Sequence, residues 1–158
     1  MPDETTLRKQ IARTLDWEDA HAGFDAAIEG LAAELRGKTP PGLPYSPWQL
    51  VEHIRRTQAD ILEFCQAPTY AEKEWPKDYW PETASPPTAK AWDDAIAAVR
   101  RDRKALAALT LDKKTDLTAP VPNGTGQTYL REILLVADHT AYHVGELIVA
   151  RRLLGAWK

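Results

Sequence analysis

Disulfide chemistry is the first thing this sequence lacks: Cys65 is the one cysteine in 158 residues, so an internal disulfide framework is excluded. Neither sign of charge dominates. With 20 Lys and Arg against 23 Asp and Glu, the formal net charge is −3, and no basic stripe appears beyond the short cluster of Arg100, Arg101, Arg103 and Lys104. Nucleic acid is therefore not an expected partner. No segment reads as the run of roughly 20 apolar residues that crosses a bilayer, and no membrane role is expected. The opening residues MPDETTLRKQ are polar and lack the apolar centre of a signal peptide, which makes the expected location cytoplasmic. Internal repeats are absent, and so is the apolar–polar alternation of a β-strand. What is present is 44% hydrophobic residues, enough for a single domain over 1–158 to bury a core without a disulfide or a structural metal. A metal, if one is bound, is then expected to serve function rather than folding.

Helical periodicity fills most of the chain. Leu7, Ile11, Leu15, Phe24, Ile28, Leu31 and Leu35 recur at three- and four-residue steps, which predicts a first helix from about Glu4 to Arg36, ended by Gly37, with Asp16-Trp17 as the place where it could break. The stretch Lys38 to Tyr45 is too rich in proline for helix. Ser46-Pro47-Trp48-Gln49 then offers an N-cap, a proline at the first helical position and a capping-box glutamine, so a second helix should run from about Ser46 to Gln66. Between Ala67 and Pro87, Trp75, Tyr79 and Trp80 stand among five prolines. A loop of that length is functional or disordered, and its aromatics argue for order. A third helix is expected from about Thr88 to Leu109, and a fourth from Thr128 to about Leu154. The expected fold is all-α, an up-and-down four-helix bundle with a long aromatic, proline-rich loop between helices two and three. The fourth helix is apolar around its circumference, so it should be buried on most sides, in part by a second copy of the chain in a homodimer.

Polar residues on so apolar a helix need partners. His139 and His143 are four apart, about 40° apart on one helical face and one above the other, so both rings can reach one ion. Glu132 and Glu146 fall within about 20° of His139 on the same stripe. His53 borders the inward face of the second helix beside Thr57. Three neutral imidazoles converging in a bundle would each need a buried partner, and a single cation satisfies all three. His21, four after Trp17 and three before Phe24, reads as a packing histidine or one supporting the ligands rather than as a ligand. Glu132 and Glu146 read either as ion-paired residues or as carboxylates that orient ligand N–H groups. Arg151 and Arg152 complement the negative end of the helix dipole, and Cys65 reads as a small core residue.

The segments SPWQLVEHIRRTQADIL, EWPKDYWP and TYLREILLVADHTAYHVGELIVARRLLGAW resemble the DinB-like family of bacterial four-helix metalloproteins. The resemblance spans most of the chain from Ser46 onward. It implies that a histidine of the second helix and an HxxxH pair of the last bind nickel or zinc, roles that fall on His53, His139 and His143, and that the bundle dimerises. Relatives of known activity include thiol-dependent S-transferases and a thiol-dependent maleylpyruvate isomerase. Three imidazoles also suit copper or ferrous iron, so the residues alone leave the metal open.

Three protein ligands leave a coordination position free, which is the arrangement of catalytic sites. The expected chemistry is metal-dependent S-transfer with a low-molecular-weight thiol. Hydrolysis by an activated water, or a noncatalytic metal-binding or stress-response role, is the alternative. A catalyst needs a water-excluding approach to its metal, and the segment around Trp75, Tyr79 and Trp80 is the candidate lid.

Overall fold

The computed structural model describes residues 4–157, and within them the chain is all-helical. Five α-helices follow in order, α1 Glu4–Thr14, α2 Phe24–Ile28, α3 Pro47–Gln66, α4 Ala89–Leu111 and α5 Tyr129–Leu153, with a 3-10 turn at Ala33–Leu35. The four long helices close a ring, since both α1 and α3 pack on α4 and on α5.

Helix starts follow from local chemistry. Ser46 caps α3: its Oγ accepts from the Gln49 N–H while the Gln49 Oε1 accepts from the Ser46 N–H, with Pro47 opening the first turn. Thr88 and Thr128 accept from the amides of Ala91 and Arg131 and cap α4 and α5 in the same manner. Each of these caps lies where the sequence places it.

The first expected helix is not continuous. It stops at Thr14 and resumes for five residues as α2, which ends at Ile28; just beyond, Gly30 has a φ of 65°, a left-handed conformation that glycine adopts at little cost. Tertiary ion pairs hold the break: Arg103 takes both Asp16 and Asp25, and Arg13 binds Asp19 across the turn. Periodicity continued through the gap, but these charges fix the chain to α4 instead.

Two apolar clusters make up the core. One gathers Phe24, Leu50, Ile54, Trp92, Val99 and Leu147; the other gathers Ile11, Ile61, Cys65, Leu106 and Ile133. Buried arginines tie the ends. Arg8 donates to the carbonyls of Thr110, Asp112 and Thr115, satisfying acceptors that the C-terminus of α4 leaves free. Arg151 donates to Ala27 and Ala156, so it is a buried fastener between α5 and α2 rather than a surface charge at a helix end.

α5 departs from expectation in two respects. Leu134 (45% exposed), Tyr142 (65%) and Leu153 (53%) face solvent on the single chain, so burial does not extend around most of the helix. Its 25 residues are also long and apolar enough, by length and composition, to cross a membrane, although the sequence had shown no such segment. Its inward side packs against α1, α2, α3 and α4.

Candidate metal centre

His53 on α3 meets His139 and His143 on α5; on α3 it lies beside Ile54 of the first apolar cluster, and on α5 the pair lies between Val136 of the second and Val144 of the first. One ligand nitrogen from each histidine lies within 4.8 Å of the other two. His53 and His143 are buried, at 3% and 7% exposure, and His139 is half-buried.

Hydrogen bonds fix which nitrogen two of the rings present. His53 Nδ1 stands 3.0 Å from the Tyr79 carbonyl, which can only accept, so Nδ1 carries the proton and Nε2 is left with a lone pair. His143 Nδ1 stands 2.7 Å from Glu146 Oε2 and donates in the same way, again freeing Nε2. His53 Nε2 and His139 Nε2 are 3.0 Å apart, an approach that needs a proton or a cation between them. Burial in the helix interface lowers the His53 pKa to about 4, against the Tyr79 carbonyl, which raises it, and with His143 adding to the lowering. Burial, with His143 and His53 adding to it, lowers that of His139 to about 3. Both rings are neutral at physiological pH, with lone pairs available to a metal. The donor set and its supports thus fit a divalent transition ion.

The aromatic segment lies over this cluster. Trp80 stacks on His53 at 3.8 Å between ring centroids and 8° between planes; it also stacks on Tyr45 at 4.0 Å and meets the His143 ring edge-on at 6.0 Å. Trp75 meets the His53 ring edge-on at 6.2 Å. Arg56 holds the segment from below, donating to the carbonyls of Asp78 and Trp80 while Glu52 accepts from its Nε. Burial opposes ionisation of Glu52, but hydrogen bonds and charge from Arg55 and Arg56 outweigh it and hold the carboxyl below its usual range. At the far end of the segment, Ser46 Oγ donates to the Ala84 carbonyl. Gly37 allows that approach, because a Cβ there would overlap the Ser85 side chain and come within 2.8 Å of its Cα.

The histidines line a cavity of about 1020 Å³ together with Trp75, Tyr79, Phe64, Tyr142, Asn123, Gln127 and Arg131. Thr57, one turn beyond His53, lines it too, and its buried Oγ1 has no partner among the described residues.

A family model described as the DinB superfamily matches residues 16–147, a stretch holding all three histidines. The chain belongs to the DinB superfamily. Neither the curated proteins nor the solved structures gave a match. In this superfamily member the expected residues sort as follows. His53, His139 and His143 are brought together. Glu146 orients His143, whereas Glu132, only 2% exposed, pairs with Arg131 and, among the described residues, makes no hydrogen bond to a histidine. His21 is not among the converging histidines; it is exposed, its Nδ1 is 3.1 Å from the Ala22 carbonyl, and it lines a separate cavity of about 320 Å³. Cys65 is a core residue, and burial, with Glu132 adding to it, pushes its thiol up to about 12. The Tyr79 carbonyl and Asp60, which accepts from the hydroxyls of Tyr70 and Tyr79, were not foreseen. Aromatic spacing marked the segment, but nothing in the sequence marks a main-chain acceptor 26 residues from its donor.

Proposed function

We propose that the chain binds one divalent transition ion, zinc or nickel, through His53, His139 and His143, and acts as a metal-dependent, thiol-dependent S-transferase. The observation that carries this reading is the convergence of three imidazoles in one wall of a roomy cavity roofed by aromatic side chains. When bound, such an ion is a Lewis acid that lowers the pKa of a thiol or water brought to it. The chain's own residues do the rest. Tyr79 and Glu146 fix the tautomers of His53 and His143; Trp80 shields the ring face of His53; Trp75, Tyr79 and Tyr142 provide flat apolar surface against which an electrophile can be oriented. Cys65 supports an external thiol. It is the sole cysteine, lies in the core with its pKa pushed up to about 12 and does not line the cavity, so a nucleophilic sulfur has to come from a small molecule.

The test is spectroscopic. Addition of a low-molecular-weight thiol to cobalt-substituted protein should produce a sulfur-to-metal charge-transfer band, and the same thiol should then alkylate faster than in free solution. A His139→Ala variant should lose both effects. A spectrum that no biological thiol perturbs removes the S-transferase reading and leaves hydrolysis or a noncatalytic metal-binding role.

A further inference from the structure

Asp60 lies on α3, seven residues beyond His53, and is 9% exposed. One of its oxygens accepts from the Tyr70 hydroxyl at 2.9 Å and the other from the Tyr79 hydroxyl at 2.7 Å. Among the described residues no lysine or arginine reaches it at ion-pair distance; Lys73, in the same segment, is engaged with Glu63 at 3.0 Å. A buried carboxylate without a cation depends on its donors, and hydroxyls on an ionised oxygen make short, strong hydrogen bonds. These two donors come from opposite ends of the stretch that roofs the cavity. Tyr79 is also the residue whose carbonyl accepts from His53 Nδ1. A closed circuit results: His53 to the Tyr79 main chain, Tyr79 phenol to Asp60, and Asp60 back to His53 along the same rigid helix.

We propose that Asp60 is a positioning residue that latches the aromatic segment shut over the histidine cluster, joining Tyr70 and Tyr79 at one carboxylate and fixing His53 through the Tyr79 carbonyl. Arg56 and Trp80 also hold the segment, so loss of the latch raises the frequency of opening without freeing the segment. The inference rests on the metal-binding reading for one of its two measurements and is independent of it for the other.

Asp60→Asn keeps the shape but loses the charge, and Tyr70→Phe/Tyr79→Phe keeps both rings but loses both donors. Circular dichroism establishes that each variant is folded, and the tyrosine pair decides the matter if the Asn variant is not. The first measurement is the rate of zinc release from loaded protein into excess chromophoric chelator. The second is tryptic cleavage after Lys73 and Lys77 in the metal-free chain. Both rates should rise about tenfold or more in either variant, as expected when two hydrogen bonds to a charged group are lost. Combining Asp60→Asn with the tyrosine pair should add little, because both remove the same bonds. Glu63→Gln should change either rate less than about threefold, since its pair with Lys73 is solvent-exposed. Unchanged cleavage in folded variants overturns the latch, as does faster zinc release without faster cleavage. Faster cleavage in a chain that takes up no zinc upholds the latch and removes the metal reading instead.

Discussion

A histidine with Nδ1 committed to an acceptor has one nitrogen left to offer, and that restriction makes His53 and His143 a matched pair. Burial that lowers the pKa of His53 to about 4 and of His139 to about 3 has a consequence for stability. Both rings bind a proton more weakly in the folded chain than in the unfolded one, so acid favours unfolding. The metal-free protein should hold its full stability above about pH 6.5, the ordinary histidine value, and lose it as pH falls toward about 4 and then about 3. Asp25 and Glu52, whose pKa values are lowered below 3.8 and 4.5, add to the loss only at the acidic end. Urea midpoints at intervals from about pH 7.5 to 4 should therefore fall with acidity, and the His53→Ala/His139→Ala variant should be flat above about pH 5. A wild-type midpoint that does not move over this range would contradict the neutral, buried state of the rings. At this scale the meeting of His139 and His143 was legible because helical spacing alone puts them on one face. Asp60 was not, since its meaning depends on two tyrosines delivered by an irregular segment.

Elements were legible where their ends are local. α3, α4 and α5 begin at Ser46, Thr88 and Thr128 because each side chain meets an amide three residues on. The break between α1 and α2 is decided by Arg103 and α4, far along the chain, and no window of sequence contains that information. Ser46 serves two elements at once, capping α3 and donating to Ala84 at the end of the aromatic segment. Ser46→Ala should cost about 1–2 kcal/mol in urea denaturation, with no change in helix content. A cost under about 0.3 kcal/mol would mean that neither bond contributes, against the range found for such caps.

For the whole molecule, His139 and His143 sit on α5 at the seam between two apolar clusters, neither of which includes a histidine. The fold should therefore stand when metal is removed, and binding should add stability only by linkage. The DinB superfamily match covers this seam and most of both clusters. The most direct measurement is the metal content of protein purified without an affinity tag and loaded to saturation, read by elemental analysis alongside circular dichroism. About one ion per chain is expected, lost sharply in His53→Ala, His139→Ala and His143→Ala and kept in His21→Ala, with all five proteins fully helical. Full occupancy in His53→Ala, or metal retained after loss of both His139 and His143, would show that the ion is held elsewhere.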